Sequence, residues 1–389
     1  MRTANRMRFI KPSGTIAMAE KAREIERSGR KVYHLEVGEP DFDTPEHIKT
    51  AAFQAMKNGF THYTSSRGIL ELREAISKDL QRRGFEADPE KEIIVTPGAK
   101  HAIYCACLAT LNPRDEVLVL EPTWPTHFEC IKVAEAEPIM VPSGDDYGLD
   151  EEALKEKVTA RSKMILLNSP NNPTGGVLAE EDMRVLADLV ADHGLLVLSD
   201  EIYDRLVYDD MKVRSIASFD DVKDEAIVVN GFSKTYAMTG WRLGYASACE
   251  EIVEAMMRIQ QSTTTCPASF IQKAGVAALN GPQDFVEVMV EEYDRRRTFV
   301  VAQLNKIHSV NCVMPKGAFY VFPNFSSLEM PSFEICRRLL EEEGVCCTPG
   351  AVFGESGEGH LRLSYASSLE TISGALEKIK EFVDRYAEK

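Results

Sequence analysis

A three-layer α/β/α sandwich with a mainly parallel sheet, followed by a smaller α+β domain, is the fold that the sequence predicts. Three observations predict it. The chain has 389 residues, above the ~250–300 at which single cores stop growing, so two domains are expected. From about residue 92 to 248, short apolar runs recur with helix-length segments between them. These runs are apolar on both faces, as suits strands covered by helices on either side.

In order, the runs occupy residues 92–96, 116–120, 164–168, 195–200, 226–230 and 243–248. Between them the helices carry ordinary boundary signals. Glu180, Glu181 and Asp182 place acid at the positive end of one helix, and His193-Gly194 closes it. After Gly281-Pro282 a charged amphipathic stretch runs to about His308. It gives way to an apolar run at 318–322, a helical 333–343, a strand-like 360–364 and a terminal helix over 368–386. The expected division is an N-terminal segment, 1–47, packing with the small domain, a large cofactor-binding domain, 48–285, and a small C-terminal domain, 286–389.

Charge excludes one class of partner. With 61 acidic against 45 basic residues, a net charge of −16 and a pI near 5.1, the chain lacks the cationic surplus that binds phosphate backbones, so no nucleic acid is expected. No segment approaches the ~18 apolar residues of a membrane span, and the first residues show no secretory pattern, which reads as a cytoplasmic protein with no membrane partner. The 9 cysteines are scattered, and the pairs Cys105/Cys107 and Cys346/Cys347 lack C-x-x-C spacing. Reduced, buried thiols and no metal site are expected.

One run concentrates the chemistry: Gly231-Phe232-Ser233-Lys234-Thr235-Tyr236-Ala237-Met238-Thr239-Gly240-Trp241-Arg242, at the exit of the 226–230 strand. A lysine among small residues, followed 8 positions on by an arginine, suits an aldehyde that carries a phosphate, as pyridoxal phosphate does. An ordinary lysine, with a pKa of about 10.4, is neutral in only about one molecule in 2,500 at pH 7, so its site must depress that value. Arg242 acts in that direction. An isolated lysine here would read as a solvated side chain; this surrounding run favours the amine that condenses with the aldehyde.

The cofactor's other needs are a cradle for a dianion, a carboxylate for the pyridine nitrogen, a donor for the ring oxygen and a flat partner for the ring. Thr96-Pro97-Gly98-Ala99-Lys100 joins a strand to a helix start, where backbone N–H groups bind anions; a glycine there also serves purely steric ends. Asp200 follows the 195–200 run at the carboxyl end of a strand, where open α/β sheets place ligands, or it caps a following helix. Tyr203 and Asn172, the latter in Asn168-Ser169-Pro170-Asn171-Asn172-Pro173-Thr174-Gly175, can reach the ring oxygen. Trp124, beyond the 116–120 run, stacks on the ring or packs in the core. Arg362, in Gly359-His360-Leu361-Arg362-Leu363-Ser364, is either a bidentate receptor for a substrate carboxylate or a surface strand arginine.

Together these residues resemble a fold-type I, class I/II pyridoxal-phosphate aminotransferase. The resemblance spans nearly the whole length. It runs from Gly38-Glu39-Pro40-Asp41 through Tyr63-Thr64, Asn171-Asn172-Pro173, the Lys234 run and Lys316-Gly317-Ala318-Phe319-Tyr320 to Arg362. The opening, with Lys11-Pro12-Ser13, is most similar to the prokaryotic aspartate and aromatic subgroup. By that resemblance Lys234 carries the cofactor and shuttles a proton, Asp200 pairs with the ring nitrogen, and Tyr203 and Asn172 hold the ring oxygen. Trp124 stacks on the ring. Gly98, Ala99, Lys100 and Arg242 surround the phosphate, and Gly38 and Arg362, beside Trp124 and Asn172, receive the substrate. Tyr63 matches a tyrosine that reaches into the neighbouring subunit, which implies a homodimer. One departure stands out: many relatives carry serine three positions before the lysine, where this chain has Gly231, and Ser233 is the candidate substitute.

The function implied is transfer of an amino group between an L-amino acid, aspartate or aromatic, and a 2-oxo acid such as 2-oxoglutarate. The same fold also hosts carbon–sulfur lyases, decarboxylases and synthases. A silent scaffold would require the lysine or its partners to be missing, and a dinucleotide enzyme would need the G-x-G-x-x-G that is absent after every strand. No motif locates a cation for a distal carboxylate; Lys100, Arg67 and Arg297 are the candidates. Ser13 and Thr15 are expected in an N-terminal lid over the substrate.

Overall fold

The apolar runs do form one sheet. The computed structural model describes residues 4–8, 10, 14–144 and 146–386, so Ser13 lies outside the described residues, as does the Thr15 side chain. Twelve strands occur among them: β1 (Tyr33–His34), β2 (Ile93–Thr96), β3 (Glu116–Glu121), β4 (Glu137–Pro142), β5 (Ser162–Asn168), β6 (Leu196–Asp200), β7 (Ala226–Gly231), β8 (Gly244–Ser247), β9 (Tyr320–Val321), β10 (Val345–Cys346), β11 (Thr348–Pro349) and β12 (Leu361–Ser364). Seven make the central sheet in the order β2-β8-β7-β6-β5-β3-β4. Pairings among β7, β6, β5, β3 and β4 are parallel, whereas β8 runs antiparallel to both β7 and β2.

Burial explains the sheet's position. Along β5, Ile165 and Leu167 enter one apolar cluster while Met164 and Leu166 enter another; Val197 and Leu198 of β6 divide the same way. A strand whose successive side chains both meet apolar layers must lie between helices. The helices supplying those layers include α2 (Glu46–Lys57), α3 (Leu70–Arg82), α4 (Ala99–Thr110), α5 (Pro125–Val133), α7 (Glu180–His193), α8 (Glu250–Thr263) and α9 (Ser269–Asn280); α6 (Glu151–Lys157) is shorter. The α7 signals perform as expected, with Gly194 in the left-handed conformation at φ 61°.

A third cluster joins α1 (Gly14–Arg27) to the chain's far end. Met18 and Ala22 of α1 meet Cys346 and Leu363, residues of α10 (Asp284–Leu304) and α12 (Leu369–Tyr386), and the short α11 (Ser332–Arg338). Two small sheets belong to this region, β1-β10 and β11-β12-β9.

The sequence reading overlooked β4. This edge strand mixes exposed Glu137 and Pro142 with a buried Val141, so its apolar signal is diluted on the face that solvent reaches.

Candidate active site

A cavity of about 1190 Å³ opens over the carboxyl ends of the parallel strands, the position that open α/β sheets reserve for ligands. Lys234 and Ser233 leave β7 into it, Asp200 ends β6, Asn168 ends β5, and Trp124 follows β3. Ala99 and Lys100 enter from the first turn of α4, Tyr203 and Arg242 from loops, and Gly38 and Arg362 from the region tied to the third cluster. Of the residues singled out, the structure brings all of these together. Tyr63 stands apart and 86% exposed.

Lys234 is held for reaction. Its Nζ donates to the Gly38 carbonyl, and its pKa is lowered to about 8, first by burial and then by the Arg362 charge, against the opposing pull of Glu39 and Asp200. The solvated-lysine alternative is thereby set aside.

Asp200 is buried. Its Oδ2 lies 3.1 Å from His127 Nε2, and Oδ1 accepts the Ile202 N–H at 3.2 Å. His127 Nδ1 in turn lies 2.9 Å from Thr123 Oγ1. The capping alternative survives only as that one backbone contact, because a turn and not a helix follows β6. His127 escaped the sequence reading: a single histidine on an amphipathic helix carries no spacing signal, and its partner is remote in the chain.

Arg362 is no surface arginine, being 3% exposed. Nη1 donates to Asn172 Oδ1 at 3.0 Å, and Nη2 donates to the Glu36 carbonyl and to Thr348 Oγ1 at 3.3 Å. Tyr320 lies beneath it, its ring centroid 4.6 Å from the guanidinium carbon, and Nε is buried without a partner. A buried donor left unsatisfied is costly, so this fork suits an incoming carboxylate. Tyr203 Oη lies 2.8 Å from Tyr320 Oη, and burial raises the Tyr203 pKa well above its usual value, which keeps the phenol a donor.

Gly98 stands behind Arg242, which lines the cavity. It holds φ 89° before α4, and a Cβ there would stand 2.7 Å from Arg242 Nη2. Only glycine lets that guanidinium close over the helix start, whose first N–H groups lack intrahelical partners. Arg242 Nη1 is anchored on the Thr239 carbonyl at 2.8 Å. Lys100 Nζ rests 4.7 Å from the Trp124 ring centroid, with its pKa lowered by burial. Trp124 meets His127 edge-on, centroids 5.5 Å apart, and its presence in the cavity lining disposes of a purely core role.

Two proposed distal cations do not belong here. Arg297 is buried and pairs with Asp209 and Asp294. Arg67 donates to the carbonyls of Glu90 and Lys91 at 2.7 and 2.8 Å. Both are committed to backbone or acid outside the cavity; Lys100 alone of the three lines it, joined by Lys132.

Gly231 explains its own departure from the serine of many relatives. A Cβ there would meet Gly244 Cα and the Leu243 carbonyl, each at 3.0 Å. The antiparallel pairing of Gly231 with Gly244 crowds a side chain at 231, which would need the neighbouring backbone to give.

Cradle, half-buried amine, carboxylate and orphaned guanidinium N–H fit a phosphorylated pyridine aldehyde and an amino acid. The model of the family described as aminotransferase class I and II matches residues 30–379. An aspartate aminotransferase of Pyrococcus abyssi is 41% identical over 386 residues, covering 98% of each chain. An aromatic-amino-acid aminotransferase of Thermococcus litoralis is 39% identical over the same length, again covering 98% of each. Among solved structures, the aspartate aminotransferase from Thermus thermophilus with maleate superposes with a TM-score of 0.93 at 39% identity, covering 98% of this chain and 100% of that one. Likeness of this extent makes the chain a transaminase that uses pyridoxal phosphate, a member of the class I and II aminotransferase family.

Proposed function

We propose that the chain moves an amino group between aspartate or an aromatic L-amino acid and a 2-oxo acid such as 2-oxoglutarate. The observation that carries this reading is a half-buried Lys234, its pKa near 8, sharing one cavity with Asp200 and the partly unsatisfied Arg362. The names of the relatives support the donor class.

Pyridoxal phosphate, when bound, supplies an aldehyde that captures the substrate amine and a pyridinium ring that takes up the electrons left when Cα–H breaks. The chain's residues do the rest. Gly98, Ala99, Lys100 and Arg242 hold the phosphate by backbone N–H groups and charge. Asp200, oriented by His127, would hold the proton on the ring nitrogen, and Tyr203 and Asn172 would donate to the ring oxygen. Trp124 covers the ring. Gly38 and Arg362 seat the α-carboxylate, which turns the Cα–H toward Lys234. With the cofactor bound, the neutral Lys234 Nζ would accept the proton that leaves the substrate Cα and hold it for return.

The molecule is proposed to act in the cytoplasm as a homodimer in which Tyr63 reaches the neighbouring cavity. Supporting this, Tyr63, Phe53 and Met56 are large apolar side chains left 86%, 58% and 42% exposed. The expected division into 1–47, 48–285 and 286–389 is retained as part of this proposal.

A panel of amino donors with 2-oxoglutarate tests the reading through kcat/KM. Aspartate or aromatic donors should lead the panel, and no conversion of bound cofactor to its amine form by any donor would overturn amino transfer. Sedimentation of wild type and Tyr63→Ala tests the assembly, with a monomeric wild type the refuting result.

A further inference from the structure

Outside the cavity, three metal-ligating side chains meet where β1 runs beside β10. His34 and Cys346 are direct partners in that parallel register. Glu36, two residues beyond His34 in extended chain, returns to the same face. Leu35 between them donates its N–H to the Cys346 carbonyl at 2.9 Å, extending the pairing through that point. One ligand atom from each of His34, Glu36 and Cys346 lies within 4.8 Å of the other two. Ligands of one tetrahedral zinc, bonded at 2.0–2.3 Å, stand roughly 3.3–3.8 Å apart, so side-chain shifts of about 1 Å close the set.

Two features go beyond proximity. Glu36 is 1% exposed, and while its Oε1 meets His34, its Oε2 is buried with no hydrogen-bond partner, an unsatisfied acceptor facing the cluster. The two nitrogens of His34 are also divided between carboxylates, Nδ1 at 2.8 Å from Glu36 Oε1 and Nε2 at 3.0 Å from Glu26 Oε1. A carboxylate on the far nitrogen is how metal-bound imidazoles are oriented. Glu26 therefore stands ready as the positioning residue for His34.

We propose that His34 Nδ1, the Glu36 carboxylate and the Cys346 thiolate bind one divalent cation, with Glu26 orienting the imidazole. Nitrogen, oxygen and sulfur ligands together select an ion of borderline softness, and zinc is the expected one. The cation forms bonds to Nδ1 and Sγ as the thiol proton, and any proton on Nδ1, leave to water. His34, with its side chain 33% exposed, gives the ion a path in and leaves the fourth position to solvent. The bound ion would staple the N-terminal segment, through β1 and the Glu26 of α1, to β10 near the other end of the chain. The cysteine spacing could not reveal this, because the tertiary fold supplies the neighbours.

Zinc titrated calorimetrically into chelator-treated holoenzyme tests the proposal. One site per chain and a zinc-dependent rise in melting temperature are expected. His34→Gln and Cys346→Ser should each weaken binding by about tenfold or more, Glu26→Gln should weaken it less, and Cys249→Ser should leave it unchanged. Cobalt uptake should produce a thiolate charge-transfer band that Cys346→Ser removes. Absence of uptake by the wild type, or wild-type binding by His34→Gln, refutes the site. If Cys346→Ser does not fold, the variants at the partly exposed Glu26 and His34 decide the matter. Uptake and melting temperature are read without turnover, so their failure leaves the amino-transfer reading standing, although the Glu36 backbone carbonyl also holds Arg362.

Discussion

The imidazole of His127 stands 3.1 Å from the carboxylate of Asp200, and Thr123 Oγ1 holds its other nitrogen at 2.9 Å. Both members of the pair are buried. In the proposed function Asp200 faces the cofactor ring, so His127 would act through Asp200. Losing a buried hydrogen bond to a charged group costs about 1.5–3 kcal/mol, or roughly 10–150-fold. His127→Asn should lower kcat/KM within that range and shift the pH profile of the bound cofactor's absorbance, while the far-UV circular dichroism stays native. Unchanged kinetics and absorbance would remove His127 from the machinery.

Lys234 gives a pH dependence of definite sign. Its folded pKa, about 8, lies below the ordinary value of 10.5, so the ammonium is less favourable in the fold than in the unfolded chain. The cofactor-free protein should therefore gain stability as pH rises from about 8 toward 10.5 and level off above it. Its rate of combination with pyridoxal phosphate should rise with a midpoint near pH 8, followed by the growth of visible absorbance. Lys234→Ala should show neither that absorbance nor turnover.

Arg362→Lys tests the carboxylate receptor. Lysine keeps the charge and loses the planar fork that spans Asn172, Thr348 and the Glu36 carbonyl. The KM for amino donors should rise by about tenfold or more, with cofactor content unchanged as read by absorbance. Loss of the cofactor alone, with KM intact, would relocate the receptor.

Gly231→Ser asks whether this chain tolerates the serine of many relatives. Its Cβ would press on Gly244 Cα and the Leu243 carbonyl at 3.0 Å, and overpacking of this kind costs about 1–3 kcal/mol. A lower melting temperature is expected, without tighter cofactor binding. By contrast, Ser233→Ala should weaken cofactor binding by about tenfold if its hydroxyl serves the phosphate, measured by equilibrium dialysis.

Much of this was legible in the chain itself. The strands carrying Asp200, Lys234 and Trp124 are apolar on both faces, and that pattern survives any choice of neighbours. β4 was hidden because an edge strand shows solvent one face and mixes its composition. The reversed direction of β8 was hidden too, since strand composition carries no sign of orientation. Within the cavity, Lys234, Asp200, Asn172 and Arg242, which the proposed function places on the cofactor, were readable from motifs. Those that brace them were not: His127, Thr348 and Tyr320 act through partners supplied by distant segments. Arg67 and Arg297 misled for the converse reason, because a charge in the sequence does not reveal which acid or carbonyl has already claimed it.

The chain's arrangement of Arg362 on β12, long after Lys234 on β7's exit, has a consequence for biosynthesis. As the polypeptide emerges from the ribosome, the anion cradle and the reactive amine are complete well before the group that grips a substrate. A fragment cut short ahead of β12 would lack the Arg362 guanidinium, leaving Gly38, Trp124 and Asn172 in the cavity without the partner that the proposed function gives them.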